Sequence, residues 1–170
     1  MEKTNESNKF LYYFKEIIPY VVIVLVVILI RTFLFTPIRV SGSSMDPTLK
    51  DGYIMILNKV AKIDRFDIVV VKSKGSRPVL IKRVIGLPGE TVEVRDGNLY
   101  INGKKTEDNY GKSITLDFKS VKVPKGQYFV LGDNRVVSAD SRIYGTIKKE
   151  DIKGTTKLII FPLNKIGNVK

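Results

Sequence analysis

A serine-rich turn directly after a long apolar segment carries the side chains with the clearest chemical potential. Ser41, Ser43 and Ser44 surround Gly42, and Pro47 closes the turn. A serine hydroxyl becomes a nucleophile only when a base takes its proton. Histidine, the usual base, is absent from all 170 residues of the chain. Either these serines are ordinary turn residues, or the base is an unusual one.

Lys82 is the candidate base. A lysine accepts a proton near neutral pH only when its pKa falls by several units, and burial can cause this. On a strand over Val79–Ile85, Lys82 shares one face with Leu80 and Val84, which is compatible with burial. The neighbouring Arg83 cannot serve, because a guanidinium stays protonated in proteins. A solvated lysine, or one paired with a carboxylate, is the alternative that the strand pattern leaves open.

A polar loop follows the apolar stretch that ends at Leu131. Within it, Asp140 and Arg142 can form an ion pair that stiffens the loop, and the Ser138 hydroxyl can orient a buried amine. The alternative is a plain connecting loop, where Gly, Asp, Asn and Ser normally cluster. The spacing of these residues does not separate the two interpretations.

The segment Ile17–Thr36 is apolar enough, and at about 20 residues long enough, to cross a bilayer. A cleavable signal peptide is disfavoured, because Arg31 interrupts the apolar run and no small-x-small site follows. A buried core helix is disfavoured by the lack of a polar face in so small a domain. The sequence thus predicts a short tail over 1–16, a transmembrane helix over 17–36 and a separate domain over 37–170.

Beyond the apolar segment the pattern changes to short alternating runs, which predict strands. Asp96-Gly97 is a strong two-residue hairpin signal, and Lys104–Ser113 is predicted to be a surface loop. The expected class is mostly β, as one compact domain without repeats. The predicted strands are Tyr53–Asn58, Ile68–Lys72, Val79–Ile85, Thr91–Arg95, Asn98–Ile101, Tyr128–Leu131 and Lys157–Phe161.

Composition excludes several classes of site. Without cysteine or histidine the chain has no disulfide, no zinc-thiolate site and no Ser-His-Asp triad, and we expect neither a metal nor a cofactor. The net charge is +12. The basic residues are scattered rather than clustered with aromatics, which argues against nucleic acid as a partner. A basic face on anionic lipid, or simply a lysine-rich solvated surface, accounts for the charge.

Several blocks, in order behind one amino-terminal span, resemble bacterial type I signal peptidases. That family consists of membrane-anchored Ser-Lys endopeptidases, and the compact form here looks like that of Gram-positive bacteria. The resemblance implies an all-β catalytic domain of antiparallel sheets after a single transmembrane helix. The blocks that carry it are Arg31–Phe33, Ser44–Leu49, Arg65–Val70, Lys82–Glu90 and Gly132–Arg142.

The resemblance implies roles for particular residues. Ser44, directly before Met45-Asp46-Pro47, matches the nucleophile, and Lys82 matches the general base. The Ser44 backbone N–H, in the Gly42 region, would bind the oxyanion. The supporting residues that it implies are Ser138, which orients the lysine amine, the pair Asp140 and Arg142, which holds the site together, and Asp133, a structural acid.

Three departures from the family pattern stand out. Gly42 replaces a serine that supplies a second oxyanion donor in some relatives, although glycine is common there in Gram-positive ones. Val136-Val137 replaces a polar Asp-Asn pair, so the hydrogen bonding of that loop must differ. Phe66 stands where the family often has glycine. None of these changes removes a proposed site residue, so we expect an active enzyme.

The resemblance also implies a substrate and a location. Signal peptides of preproteins, ending in Ala-x-Ala, would lie extended against Ile38–Ser43 and Val79–Lys82. Charge alone leaves the orientation of the span open. The resemblance implies that the amino terminus is cytoplasmic and that the catalytic domain is extracytoplasmic on the cell membrane. We expect a monomer. Shallow apolar substrate pockets would be lined by Val40, Met45, Leu49, Leu80 and Ile81.

Two rival functions remain at this point. A Ser-Lys self-cleaving repressor-type protease shares the dyad, but the apolar segment argues against a soluble protein of that kind. A catalytically weak membrane-tethered β-domain that only binds exported chains is the other. Retention of both Ser44 and Lys82 argues against it.

Overall fold

The structure is a computed structural model that describes residues 3–72, 79–111 and 113–169, with side chains described from residue 12 onward. It divides into two compact units, Met1–Thr36 and Pro37–Lys170. The first unit is a single helix with a short extension. The second contains two β-sheets, and it carries all the residues to which the sequence assigns chemistry.

Helix α1 spans Lys3–Phe33, and its segment Tyr12–Phe33 is long and apolar enough to cross a membrane. The helix therefore begins within the predicted tail and ends three residues before Thr36, the predicted end of the span. Pro37 disfavours helical geometry in the residue before it, and the chain turns into a strand instead. The Thr36 hydroxyl donates to the Arg31 carbonyl at 2.8 Å, which satisfies one of the last helical carbonyls.

The larger sheet has eight strands in the order β1-β2-β11-β3-β4-β9-β10, with β12 paired to β11. Strands β2 and β3 pair antiparallel with β11, β3 with β4, and β4 with β9, as the resemblance implies. The central strands are rich in valine and isoleucine and are buried on both faces. The strands are β1 Phe35–Arg39, β2 Ile54–Asn58, β3 Ile68–Lys72, β4 Val79–Gly86, β9 Gln127–Leu131, β10 Ile147–Lys148, β11 Ile152–Phe161 and β12 Gly167–Asn168.

The smaller sheet has four strands in the order β7-β6-β5-β8. Its strands are β5 Thr91–Arg95, β6 Asn98–Ile101, β7 Lys104–Lys105 and β8 Phe118–Lys122. The predicted hairpin is confirmed: Arg95 pairs with Asn98, and both turn residues between them have positive φ, +49° at Asp96 and +70° at Gly97. This is the conformation that two-residue hairpin turns require.

Five of the described strands were not predicted from the sequence, and one was predicted only in part. Strand β8 is largely exposed, and β7, β10 and β12 are only two residues long, so none of them shows a full alternating pattern. Strand β1 is a five-residue edge strand that contains Pro37. Strand β11 begins at Ile152, five residues before the predicted start. Gly154 has φ +151° there, and a Cβ would meet the Asn58 carbonyl oxygen at 2.3 Å. The glycine that this close approach requires interrupts the alternation of apolar and polar residues, so the sequence pattern does not predict the start of the strand.

Three apolar clusters fill the second unit. One lies around Met55, Val70 and Ile159, a second around Val92 and Phe129, and a third around Val69, Val84 and Val130. The alternation of β4 sends Ile81 to the first cluster and Val84 to the third. Helix α2, Ser141–Tyr144, is a short helix at the end of the polar loop after β9. This packing places β4 and that loop beside the serine turn.

Candidate active site

The serine turn connects β1 to β2 and is closed by backbone hydrogen bonds. Val40 N–H donates to the Tyr53 carbonyl at 2.8 Å, and Gly52 N–H donates to the Val40 carbonyl at 3.0 Å. Within the turn, Gly42 has φ +84°, which glycine adopts without strain. Its N–H donates to Asp51 Oδ1 at 2.8 Å. The turn therefore has a defined shape.

The structure separates the three serines by their exposure. Ser41 and Ser43 are exposed, whereas Ser44 is half-buried. Met45, the next residue, is 1 % exposed and packs in the first apolar cluster, as does Leu49. Burial of these two side chains anchors the turn to the core on the carboxyl-terminal side of Ser44.

Lys82 Nζ lies 2.8 Å from Ser44 Oγ, within hydrogen-bond distance. The lysine is only 3 % exposed. Its strand position explains this burial: it is the register partner of Val69 on β3, and Val69 and Val84 are fully buried. The predicted apolar face of β4 is therefore present, and it brings an amine and a hydroxyl together across 38 residues of sequence.

Asp140 ties the loop after β9 together. Arg142 donates to its carboxylate through Nε and Nη2, both at 2.8 Å, and Gly132 N–H donates to it at 3.0 Å. Burial alone would raise the pKa of the Asp140 carboxyl. Hydrogen bonds from Arg142 and from the Gly132 N–H, the nearby Ser138 hydroxyl and the Arg142 charge together outweigh that burial and lower the pKa of Asp140 below its ordinary value.

Ser138 is buried where this loop meets the serine turn. Its Oγ has no partner with full hydrogen-bond geometry among the described residues. It nevertheless lies close enough to the Asp140 carboxylate to help lower the pKa of that group. A Cβ on Gly132 would meet Ser138 Oγ at 2.2 Å and the Ser44 carbonyl oxygen at 2.5 Å. Only glycine at position 132 permits this approach. The predicted orientation of the Lys82 amine by Ser138 stays a prediction.

Asp133 is fully buried and forms a two-point ion pair with Arg83. The guanidinium donates to it through Nε at 2.9 Å and Nη2 at 2.6 Å. Arg83 also donates to the Phe66 carbonyl at 2.8 Å, and the Tyr110 ring covers it at 3.7 Å from the centroid. Sequence reasoning named Asp133 but not its partner. Arg83, next to Lys82 on β4, thus attaches the base-bearing strand to the loop.

Asn134 is a site residue that sequence reasoning missed. Its backbone N–H donates to the Ser44 carbonyl at 3.0 Å, and its side-chain Nδ2 donates to the Ser43 carbonyl at 3.2 Å. The only signal in the sequence was its place beside Asp133 in the polar loop. No spacing rule connects it to a turn about 90 residues earlier.

The expected oxyanion donor is the Ser44 backbone N–H. Among the described residues it donates to no acceptor, so it is available to a ligand. At Gly42 a Cβ would meet nothing within 4 Å, and the side-chain donor of some relatives has no counterpart there. The Ser44 N–H is therefore the donor that the described structure offers next to the Ser44 hydroxyl.

Four of the five residues expected to line substrate pockets lie in one apolar cluster. Val40, Met45, Leu49 and Ile81 belong to the first apolar cluster, whereas Leu80 packs on the third. Met45 and Leu49 expose 1 % and 0 % of their surface, so in this structure they pack in the core beneath the serine turn. Their contact with a substrate stays a prediction. Among the described residues no cluster of three or more Asp or Glu side chains could hold a metal ion.

Comparisons with known proteins point to one family. The family model described as signal peptidase, peptidase S26, matches residues 13–161. Signal peptidase I T of Bacillus subtilis is 45 % identical over 99 % of this chain and 95 % of its own length. A signal peptidase I of Streptococcus pneumoniae is 35 % identical over 94 % of this chain and 98 % of its own. The crystal structure of a signal peptidase I from Enterococcus faecalis has a TM-score of 0.51 and 40 % identity, covering 56 % of this chain and 97 % of that chain.

Proposed function

Because the chain belongs to the signal peptidase family, peptidase S26, we propose that it is a membrane-bound serine endopeptidase that removes amino-terminal signal peptides from exported preproteins. The similarity covers nearly the full length of both this chain and its relatives. It favours this function over the self-cleaving repressor, which would need no apolar span.

The 2.8 Å contact between Lys82 Nζ and Ser44 Oγ carries the proposal. A buried amine loses the hydration that stabilises its charged form, so burial at 3 % exposure favours neutral Lys82. A neutral amine at hydrogen-bond distance from a hydroxyl can act as its general base. In this proposal Lys82 takes the role of base that histidine has in a Ser-His-Asp triad.

In the proposed reaction, Lys82 takes the proton of Ser44 as Oγ attacks the scissile carbonyl carbon. The carbonyl oxygen becomes an oxyanion, which accepts a hydrogen bond from the Ser44 backbone N–H. When the tetrahedral intermediate collapses, the C–N bond breaks and the Lys82 ammonium gives its proton to the leaving amine. The signal peptide is then held as an ester on Ser44.

Deacylation reverses the roles. Neutral Lys82 takes a proton from water as the water oxygen attacks the ester carbonyl, and the resulting ammonium returns a proton to Ser44 Oγ. The Asp133–Arg83 pair supports both steps because it joins the loop after β9 to β4, which carries Lys82. The Asp140–Arg142 pair supports them because it holds that loop together. No metal or cofactor is needed for any step.

The proposed substrate end is Ala-x-Ala, bound extended between the serine turn and β4 by strand addition. The apolar span supports this substrate, because a signal peptide carries its own apolar segment in the bilayer. Holding enzyme and substrate in one plane raises their effective concentration. We place the amino terminus in the cytoplasm and residues 37–170 on the outer face, with the chain acting as a monomer.

The decisive experiment adds the full-length protein in detergent to a preprotein with an Ala-x-Ala site. The new amino terminus of the product is then sequenced. We expect cleavage directly after the second alanine by the parent. In Ser44→Ala and Lys82→Arg we expect a loss of about 10⁴-fold or more.

Ser43→Ala is the matched control, since it removes an exposed serine from the same turn. It should retain activity, and all variants should melt with the parent. Undiminished cleavage by Ser44→Ala would exclude that residue as nucleophile. A folded parent that binds but never cuts preproteins would favour the rival binding domain.

A further inference from the structure

Asn134 contacts the serine turn at two successive carbonyls. Its backbone N–H donates to the Ser44 carbonyl at 3.0 Å, and its side chain donates to the Ser43 carbonyl at 3.2 Å. The turn itself contributes a second donor to the Ser43 carbonyl, the Asp46 N–H at 3.1 Å. The two Asn134 contacts have different consequences, because they fall on different peptide units.

The side-chain contact falls on the peptide unit that contains the oxyanion donor. The Ser43 carbonyl and the Ser44 N–H belong to the same planar peptide, which is trans. In a trans peptide the C=O and the N–H point in opposite directions. Holding the Ser43 carbonyl therefore aims the Ser44 N–H to the opposite side. A hydrogen bond to the carbonyl also polarises the peptide and strengthens its N–H as a donor.

We propose that the Asn134 side-chain amide is a positioning residue of the oxyanion hole, acting through the Ser43–Ser44 peptide. It touches neither substrate nor reacting atoms. This inference rests on the proposed function, because an oxyanion forms only in the acyl-transfer reaction described above. With Gly42 in place of a side-chain donor, orientation of this one N–H matters more.

The backbone contact of Asn134 makes the inference testable. Variants at position 134 keep the N–H donated to the Ser44 carbonyl, so the loop after β9 retains one attachment to the turn. They also keep the Asp133–Arg83 pair. A change of the side chain alone therefore alters the Ser43 carbonyl contact with the least disturbance elsewhere.

The test measures kcat and KM for the full-length protein in detergent on the Ala-x-Ala preprotein. Asn134→Ala should lower kcat by about 10-fold, less than loss of the whole donor because the Asp46 N–H remains. KM should change by less than about 2-fold, because the contact acts in the transition state. Asn134→Asp should lose at least as much, since a carboxylate cannot donate. Asn134→Gln, which retains the amide, should recover part of kcat.

Inhibitor binding supplies a readout that a merely structural role would not move. A peptide aldehyde ending in the Ala-x-Ala sequence adds Ser44 Oγ to its carbonyl carbon, so its oxygen occupies the oxyanion position. The matching peptide alcohol forms no such adduct. Asn134→Ala should weaken binding of the aldehyde about 10-fold and leave binding of the alcohol unchanged.

Asn98→Ala is the matched control. Asn98 Nδ2 also donates to a backbone carbonyl, that of Asp96 at 2.8 Å, but in the smaller sheet. It should leave kcat and both inhibitors unaffected. An unchanged kcat in Asn134→Ala, or equal losses for aldehyde and alcohol, would overturn this inference while leaving the proposed function intact. A parent that cleaves no preprotein would overturn both.

Discussion

At the scale of single residues, we expect Lys82 to contribute more to chemistry than to folding. Burying an amine removes the hydration that stabilises its charged form, and Lys82 Nζ lies 2.8 Å from Ser44 Oγ. The neighbouring Arg83 is equally buried and donates two hydrogen bonds to the Asp133 carboxylate. Two adjacent basic residues on β4 thus have different proposed roles, one as a base and one in a structural ion pair.

Lys82→Met tests this difference. Methionine is unbranched and of similar length, so it fills the space without a charge. We expect cleavage to be lost and the melting temperature to stay the same or rise, as measured by circular dichroism. Lys157→Met is the comparison, because Lys157 is largely exposed and pairs with Asp67 at 2.7 Å. It should remain active, and a marked fall in melting temperature for Lys82→Met would contradict the argument.

Asp140 predicts a specific pH dependence of stability. Its pKa is lowered in the folded protein, so its stabilising effect is fully present above the ordinary carboxyl pKa of about 4. The effect is lost as pH falls through the lower folded value. Asp140→Asn should therefore be less stable than the parent at neutral pH, and the gap should narrow below about pH 4 in urea unfolding.

Glu150→Gln is the control for that measurement, because Glu150 is exposed and pairs with exposed Lys148. It should track the parent at every pH. A gap for Asp140→Asn that stays constant down to acid pH would show that the carboxylate charge contributes nothing.

At the scale of elements, the site depends on the close approach of the loop after β9 to the serine turn. Gly132 is the point of closest contact, where a Cβ would lie 2.2 Å from Ser138 Oγ and 2.5 Å from the Ser44 carbonyl oxygen. Asn134 then bonds to the turn, and Asp133 bonds to β4. One loop therefore positions both partners of the proposed dyad.

Gly132→Ala should separate these elements. The added methyl group must displace Ser138 or the Ser44 peptide, so both activity and melting temperature should fall. Gly126→Ala is the comparison: its φ of +73° costs about 1 kcal/mol for a residue with a side chain, but a Cβ there meets nothing within 4 Å. It should lose stability only, as judged by urea unfolding beside cleavage assays. Full activity in Gly132→Ala would contradict the close approach.

At the scale of the whole molecule, an apolar helix precedes a β-domain that holds the complete candidate site. Every proposed site residue lies within Pro37–Lys170, the second unit. The helix contributes no side chain to the chemistry that we derive. Its expected contribution is to bring the domain to the plane where signal peptides lie.

The proposed orientation predicts the result of proteolysis on intact cells stripped of their wall. Added protease should remove residues 37–170, because they lie on the outer face. An epitope at the amino terminus should stay protected until the membrane is opened. Protection of the domain together with digestion of the epitope would reverse the orientation.

The sequence alone determined the fold class and, through its resemblance to known proteins, the family. The apolar run and the alternating strands are local patterns that predict the fold class. The assignment of Ser44 and Lys82 as the reacting pair comes from the resemblance and stays a prediction. The helix ends at Phe33, three residues before the predicted end of the span at Thr36. Strand β11 was found only in part, since Gly154 breaks its pattern.

Only the tertiary structure decided which distant groups meet. The 2.8 Å contact of Lys82 with Ser44, the Arg83 partner of Asp133 and the double contact of Asn134 all join segments 38 or more residues apart. It also placed Met45 and Leu49 in the apolar core, whereas the resemblance implies that they line shallow substrate pockets. Residue type and spacing report what a side chain can do, whereas strand register and loop packing decide what it faces.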